Sequence, residues 1–253
     1  MQDRYAGDIG DYGKFGLLKA LQKQGLKIGI NWYRTEPPKS EKKSDGAYKQ
    51  QDGRYKTGDI PEELKMCDPA LAQKLAKIAD DETHRSIAAL ERAKLVPDAV
   101  YYHEPISVAQ RNEWHQKALQ QLNKASLVFL DPDNGLKVKS VGAGSAKSVK
   151  YAMYDEVAGY IREGKSLLVY NHRCRKKEEK YFADIVQKLR EVLAGVKYYD
   201  IQVITFNRKS VRDYFAISAS KEHSVMIRQA FEEMWNGAWE AMCKEPEWAK
   251  SHK

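Results

Sequence analysis

The sequence predicts an α/β fold with a mostly parallel sheet, helices on both faces and a C-terminal antiparallel hairpin. Apolar runs alternate with segments of helical spacing through most of the chain, as in sheets whose parallel strands are joined by crossover helices. The runs 127–130 and 166–171 are almost continuously apolar, which is typical of strands buried on both faces. The last two runs, 199–206 and 213–218, are joined only by NRKSVR, too short for a crossover helix.

In the first half of the chain, a glycine-rich opening precedes a short helix with apolar spacing, which Gly25 is expected to end. The first strand is predicted at 28–33. A polar stretch from about 35 to 60 carries Pro-Pro and Asp-Gly turn signals and predicts a long loop or lid. Helical spacing returns at 70–94, and a short strand follows at 99–103.

The second half is predicted to hold helices at about 110–124, 150–163 and 178–193 between and after the two buried strands. A final helix is predicted at 223–242, where Phe231, Trp235 and Trp239 share one face, as core-packing side chains do. The tail after Lys244 is expected to fray. We interpret residues 1–253 as a single domain.

Composition narrows the class of protein. Lys and Arg total 43 against 35 Asp and Glu, and the net charge of +8 favours an anionic partner such as nucleic acid. The three cysteines are widely spaced, which excludes a disulfide framework and a CxxC metal site. No apolar stretch approaches the roughly 18 residues of a membrane span, and the start lacks a signal-peptide pattern. We therefore expect a cytoplasmic protein without membrane association, of unspecified oligomeric state.

Polar side chains follow both buried strands at the point where each strand ends. Asp131, Pro132, Asp133 and Asn134 come after the first strand, and His172 ends the second. Because ligands of open α/β sheets bind beyond the carboxyl ends of parallel strands, these residues form our candidate catalytic set. His172 titrates near neutrality and suits acid–base chemistry; a purely structural histidine is the alternative.

Glycine recurs every third residue in the opening, at positions 7, 10, 13 and 16. Such density permits close approach of the backbone to a ligand or to another element. The spacing is neither the dinucleotide fingerprint nor a P-loop. If this segment crosses the carboxyl edge of the sheet, Asp8, Asp11 and Lys14 reach the same site; the alternative is that Asp11 caps the following helix.

Two motifs resemble those of known methyltransferases. LVFLDPDNGL stands where class I S-adenosylmethionine-dependent methyltransferases carry a D/N-P-P-aromatic motif, and AGDIGDYGKF resembles the A-G-N-x-A-D-x-x-K-H helix start of the large-subunit ribosomal RNA adenine methyltransferase family. The resemblance implies a Rossmann-like, methyltransferase-type fold that uses S-adenosylmethionine to methylate an amino group of RNA or DNA. It places Asp131 and Pro132 at that amino group. It also implies that Asp8, Asp11 and Lys14 lie near the cofactor. Independently of the resemblance, the basic run that begins with Arg173 and Arg175 is consistent with phosphate contact, and a solvated helix entry is the alternative. Tyr12 is a candidate for contact with the substrate base.

The chain departs from the family pattern at three places. The glycine-rich loop after the first strand is replaced by Arg34 and the polar segment that follows it, and the motif's histidine is Phe15. Asp133 and Asn134 stand in place of the second proline and the aromatic residue. A ring that stacks on the target base would then come from elsewhere, from Tyr12 or Tyr170.

Two other functions fit the same residues. Asp131 and Asp133 could hold Mg²⁺ or Mn²⁺ in a nuclease or phosphate-ester hydrolase, with His172 as base and the arginines as a phosphate clamp. The second alternative function is a non-catalytic nucleic-acid-binding protein on a methyltransferase-like scaffold. DPDNG can also be a plain strand-ending turn. The sequence leaves these alternatives open beside the methyltransferase interpretation.

Overall fold

The computed structural model describes residues 1–35, 56–208 and 210–251. The strands in these residues are β1 (Ile28–Asn31), β2 (Val100–Tyr102), β3 (Leu127–Leu130), β4 (Gly135–Leu136), β5 (Tyr151–Ala152), β6 (Ser166–His172), β7 (Asp200–Arg208), β8 (Ser210–Ser218) and β9 (Cys243–Lys244). The α-helices are α1 (Ile9–Lys23), α2 (Glu62–Lys65), α3 (Pro69–Asp80), α4 (Ile87–Arg92), α5 (Arg111–Gln121), α6 (Tyr154–Arg162), α7 (Glu178–Val192), α8 (Lys221–Trp235) and α9 (Glu247–Ser251).

Seven of the described strands form one mixed sheet in the order β2-β1-β3-β6-β8-β7-β9. The first four strands are parallel to one another. Strand β8 is antiparallel to both β6 and β7, so it is inserted between two strands that run in the same direction. This sheet, with its parallel core and antiparallel C-terminal strands, confirms the predicted fold class.

Helices cover both faces of the sheet, and alternate side chains of each strand enter one of two buried clusters. Phe129 of β3 and Leu168 of β6 pack with α1, α3 and α8; we call this side the α1 face. Their neighbours Val128 and Val169 pack with α5, α6 and α7 on the opposite side, the α6 face. Strands buried on both sides require the continuous apolar runs that the sequence shows.

The C-terminal region differs from the sequence prediction. Strands β7 and β8 extend to Arg208 and from Ser210, so the hairpin connection is much shorter than NRKSVR. Helix α8 ends at Trp235, yet Trp239 beyond it is still buried. The expectation of a fraying tail is wrong, because β9 pairs with β7 and Trp248 of α9 stacks on Phe182 with ring centroids 5.5 Å apart. Most of the predicted lid, residues 36–55, lies outside the described residues.

The three-residue glycine spacing lets α1 approach its neighbours closely. A Cβ atom on Gly13 would lie 2.8 Å from the ring of Phe206 in β7. A Cβ atom on Gly16 would lie 2.5 Å from Cη2 of Trp239, whose ring centroid is 4.8 Å from that of Tyr12. The close approach that the sequence predicts is therefore made to protein elements at these two positions.

Gly16→Ala is expected to destabilise the protein by about 1–3 kcal/mol, because the added methyl group overpacks a rigid indole ring. Urea unfolding measures the change in the free energy of unfolding. Gly144→Ala is the matched control, since a Cβ atom there meets nothing within 4 Å. Equal stability of the two variants would show that α1 shifts freely away from Trp239.

Within the described parts of the chain, no helix combines the length and the apolar character required to cross a membrane.

Candidate functional site

The amino group of Lys14 joins α1 to the carboxyl end of β3. Its Nζ lies 2.7 Å from Asp11 Oδ1 and 2.7 Å from Asp131 Oδ2. All three residues are buried, with exposed fractions of 5% for Lys14, 1% for Asp11 and 4% for Asp131. We call these three residues the Lys14 cluster. The ammonium also lies 5.6 Å and 5.9 Å from the ring centroids of Trp32 and Phe129, where the ring faces favour a cation.

Local structure at the start of α1 explains how the cluster forms. Asp8 is the N-cap, and its side chain accepts a hydrogen bond from the Asp11 amide, so the alternative in which Asp11 caps the helix is wrong. Asp11 instead accepts from the amide of Gly7, which has φ of 74°. Lys14 follows one turn later on the same face, at i+3. Asp131 directly follows β3, and its amide donates to Asn31 O of β1.

Burial and charge oppose each other in this cluster. Burial raises the pKa of Asp11 and of Asp131, although the charge of Lys14 acts to lower both. Burial acts to lower the pKa of Lys14, but the charges of Asp11 and Asp131 outweigh it and raise that pKa. Lys14 therefore stays charged at neutral pH and compensates two carboxylates that are buried from solvent.

Asp133 forms a second, largely buried carboxylate site that follows Asp131 in the chain. Its Oδ1 lies 2.9 Å from the amino nitrogen of Met1. Its Oδ2 accepts hydrogen bonds from Gln2 Nε2 at 3.0 Å and from Thr35 Oγ1 at 3.2 Å. Burial acts to raise the pKa of Asp133, but the Met1 amino group outweighs it, and the pKa is lowered. This carboxylate is therefore ionised and bound to an ammonium group.

Acceptor oxygens at the ends of two strands surround the amino nitrogen of Met1. The Met1 amino group donates to the carbonyl oxygen of Tyr33 at 2.9 Å and to that of Asp131 at 3.3 Å, in addition to its ion pair with Asp133. Met1 is only 5% exposed. The carboxyl ends of β1 and β3 thus provide a position that is built to hold a positively charged nitrogen.

The turn after β1 is made without glycine. Tyr33 has φ of 45°, a left-handed conformation that is unfavourable for a bulky side chain. Its amide donates to Asn31 Oδ1 at 3.1 Å, and its hydroxyl donates to Glu156 Oε2 at 2.9 Å. These bonds fix the turn and direct the Tyr33 carbonyl to the Met1 nitrogen, at the place where the resemblance predicts a glycine-rich loop.

The DPDNG loop carries its later residues to the α6 face. Gly135 has φ of 103°, and a Cβ atom there would lie 2.7 Å from Asn171 Cα. The amide of Leu136 donates to Asn171 Oδ1 at 2.7 Å. Pro132 is buried, whereas the side chain of Asn134 is exposed. Asp131 therefore faces the Lys14 cluster while Asn134 is directed away from it.

Tyr170 and Arg212 lie on the α1 face, and Tyr170 neighbours Asp131 in the strand register. The sequence pattern did not indicate Arg212 as a site residue, and it indicated Tyr170 only as an alternative stacking ring. Arg212 of β8 pairs with His172 of β6 in the strand register. Burial acts to lower the pKa of Arg212, but the charge of Asp8 and a hydrogen bond with Tyr170 raise it. The two-residue period of β8 places Arg212 on the same face as Tyr214, but the sequence alone does not specify which residue of β6 it opposes.

The remaining predicted residues are dispersed. Tyr12 is fully buried, and its hydroxyl donates to Leu64 O and Lys65 O, away from the Lys14 cluster. Arg173 is bound by Asp213 at 2.6 Å and Glu178 at 2.7 Å, so its guanidinium links β6 to β8 and α7.

Arg175 and His172 have exposed side chains at this edge of the sheet. Partial desolvation and the charge of Arg212 lower the pKa of His172, so the ring is mainly neutral at pH 7. The amide of His172 donates to Asn134 O at 3.4 Å, which links the loop after β3 to the end of β6.

The metal-site alternative is not supported. Among the residues that the structure describes, no group of three or more His, Cys, Asp or Glu side chains is arranged to hold a metal ion. The physical reason is that Asp131 is neutralised by Lys14 and Asp133 by the Met1 amino group. The two carboxylates are thus directed at different cations of the protein itself.

No protein-family model matches the sequence, and no curated protein matches it. Among solved structures, the chain is similar to the crystal structure of protein LPL1258 from Legionella pneumophila str. Philadelphia 1, of the family DUF519. The two share 12% sequence identity with a TM-score of 0.41, over 95% of each chain. A likeness of this extent assigns no activity.

Proposed function

We propose that this protein transfers a methyl group from S-adenosylmethionine to an amino group of a nucleic acid. The observation that carries the proposal is the contact between Lys14 and Asp131, the two motif residues that the resemblance assigns to one site. They are 117 positions apart in the chain. A mostly parallel sheet that ends in an antiparallel hairpin is the architecture that the same resemblance implies.

The acceptor set at the strand ends is compatible with the proposed cofactor. S-adenosylmethionine carries an ammonium group, and Tyr33 O, Asp131 O and Asp133 Oδ1 already surround a nitrogen of that charge. If the cofactor ammonium bound at this position, it would displace the Met1 amino group. When bound, the cofactor supplies an electrophilic methyl group. Asp8, which caps α1, and Asp11 and Lys14 within that helix remain the residues that we place near the cofactor.

The chain's own contribution is to prepare the amino nitrogen. We assign the Asp131 carboxylate to accept a hydrogen bond from the target N–H, which increases electron density on that nitrogen. Lys14 fixes the carboxylate, and because the site is buried, no solvent reorganisation opposes the change in charge. Lys14 is a positioning residue in this scheme, since it acts through Asp131.

A nucleic-acid substrate is supported by charge. The net charge is +8, and residues 134–154, which follow the site, contain four lysines and no aspartate or glutamate. Arg175 and Lys177 are exposed just after β6. Phosphate contacts of this kind position a nucleic acid without reading its sequence, so we expect binding that weakens with salt.

Calorimetric titration with S-adenosylmethionine tests the cofactor assignment. We expect micromolar binding, and we expect Asp133→Asn to weaken it by removing the charge that faces the ammonium. Asp184→Asn, an exposed carboxylate on α7, is the matched control and should bind as the parent protein does. Labelled methyl transfer to total RNA and DNA then tests the reaction. No binding heat and no transfer would reject the proposal.

A further inference from the structure

The base that carries the target amino group requires a flat surface beside Asp131, and the DPDNG loop does not supply one. Base-stacking sites in nucleic-acid enzymes use aromatic side chains for this purpose. In this chain the residue at the expected place is Asn134, and Gly135 turns the loop toward Asn171 on the α6 face. The ring must come from another element on the α1 face.

Most rings around the Lys14 cluster are inaccessible. Trp32 and Phe129 are fully buried, and Tyr214 is 1% exposed. Tyr12 is fully buried as well, with its hydroxyl donating to backbone oxygens of α2. None of these four rings presents a face at the surface of the protein.

Tyr170 differs from them in position and in exposure. Leu130 pairs with Val169 in the parallel register, so Tyr170 is the next residue of β6 beside Asp131. Its ring packs against the α1-face cluster but remains partly exposed. Its side chain lies on the same face as that of Asp131, because Phe129 and Leu168 both enter the α1 face and side chains alternate along a strand.

The orientation of Tyr170 is fixed from two sides. Its ring meets Tyr214 nearly edge-on, with centroids 5.8 Å apart and an interplanar angle of 71°. Arg212 is hydrogen-bonded to Tyr170. The side chain of Arg212 passes under α1, where a Cβ atom on Gly10 would lie 3.1 Å from its Nε. A ring held in this way presents the same surface in every molecule, which is the requirement for a stacking platform.

We propose that Tyr170, oriented by Arg212, is the ring on which the target base lies while Asp131 receives its amino group. The inference rests on the proposed function and extends it to a substrate class. The substrate is an unpaired base with an exocyclic amino group, because a ring on the sheet edge can stack only on a base that has left its duplex.

A thermodynamic cycle between protein and oligonucleotide tests this inference. The probes are a short oligouridylate with one central adenine and its counterpart with an abasic central position, both titrated in the presence of S-adenosylmethionine. Tyr170→Leu removes the ring, Tyr170→Phe keeps the ring and loses the hydroxyl, and Tyr199→Leu removes an exposed tyrosine, 53% accessible, elsewhere on the protein. Thermal unfolding verifies that each variant is folded.

We expect Tyr170→Leu to weaken binding of the adenine probe by about 5- to 150-fold, the range of a single base–aromatic stack. Binding of the abasic probe should not change, because its missing base has no contact to lose. Tyr170→Phe and Tyr199→Leu should retain the adenine preference of the parent protein.

Equal losses for both probes in Tyr170→Leu, or no adenine preference in the parent protein, would overturn the inference. Failure of the proposed function has a different signature. An adenine preference that depends on Tyr170 without any methyl transfer would reject the methyltransferase activity and retain the base-binding role of Tyr170.

Discussion

Lys14→Met is expected to destabilise the protein by about 3–5 kcal/mol at pH 7, the usual cost of removing one partner from a buried ion pair. The substitution leaves Asp11 and Asp131, each at least 96% buried, without the cation that lies 2.7 Å from both. Methionine has a similar length and fills the same space, so the loss is electrostatic rather than a loss of packing.

The destabilisation of Lys14→Met should increase with pH. Burial raises the pKa of Asp11 and Asp131 above the ordinary 3.8, so the folded state binds protons more tightly than the unfolded state at these residues. Their contribution to stability is therefore present at low pH and is lost as pH rises through the folded pKa values. Without Lys14 those pKa values rise further, and more stability is lost by neutral pH.

Urea unfolding of the parent protein and the variant between pH 4 and 8 measures this difference. Lys19→Met, on the same helix, is the control, because Lys19 is 39% exposed in its pair with Asp68 and such pairs contribute only about 0–1 kcal/mol. A pH-independent difference, or one as small as that of the control, would show that Lys14 does not compensate the two carboxylates.

The sheet was predictable because its signals are local. Strands buried on both faces need uninterrupted apolar runs, and Leu127–Leu130 and the run after Ser166 have them. The hairpin follows from loop length alone, since six residues cannot form a crossover. Its exact turn was less predictable, because Arg208, Val211 and Arg212 are polar or branched residues that strands and loops both accept.

The site was only partly predictable, because its contacts join distant segments. Asp131 and Lys14 were found through their motifs, and the packing of α1 against the carboxyl end of β3 brings them together. Tyr12 carries the same motif, but its position on α1 turns the ring toward Trp239. Arg212 has no motif, and its neighbours depend on the register between β6 and β8, which pattern alone does not fix.

The residues after Lys244 show the same limit of prediction from local sequence patterns. The short polar segment after Lys244 predicts an unstructured tail. In the structure, Trp248 is only 9% exposed, because it stacks on Phe182 of α7. Local propensity is weak there, and tertiary burial of one indole ring decides the structure. Long-range contacts of single side chains are therefore the part of this fold that sequence patterns leave open.

Asp131→Asn is expected to reduce methyl transfer by about 10²- to 10³-fold, the cost of losing one preorganised electrostatic group at a reacting centre. Asparagine keeps the shape of the side chain and one acceptor oxygen, but it removes the negative charge that Lys14 orients. The buried cluster should remain folded, because Lys14 keeps Asp11 as a partner at 2.7 Å.

Substitutions of the two neighbouring carboxylates, Asp131 and Asp133, should affect different steps, the first methyl transfer and the second cofactor binding. Asp131→Asn leaves its own carbonyl and the Asp133 carboxylate in place, so the affinity for S-adenosylmethionine should stay within a few-fold of the parent protein while the turnover number falls. Asp133→Asn should instead weaken cofactor binding first, since its charge faces the ammonium position at 2.9 Å. Calorimetry and single-turnover methyl transfer on the same preparations measure both. Full activity in Asp131→Asn would remove Asp131 from the reaction and leave the Lys14 cluster with a purely structural role.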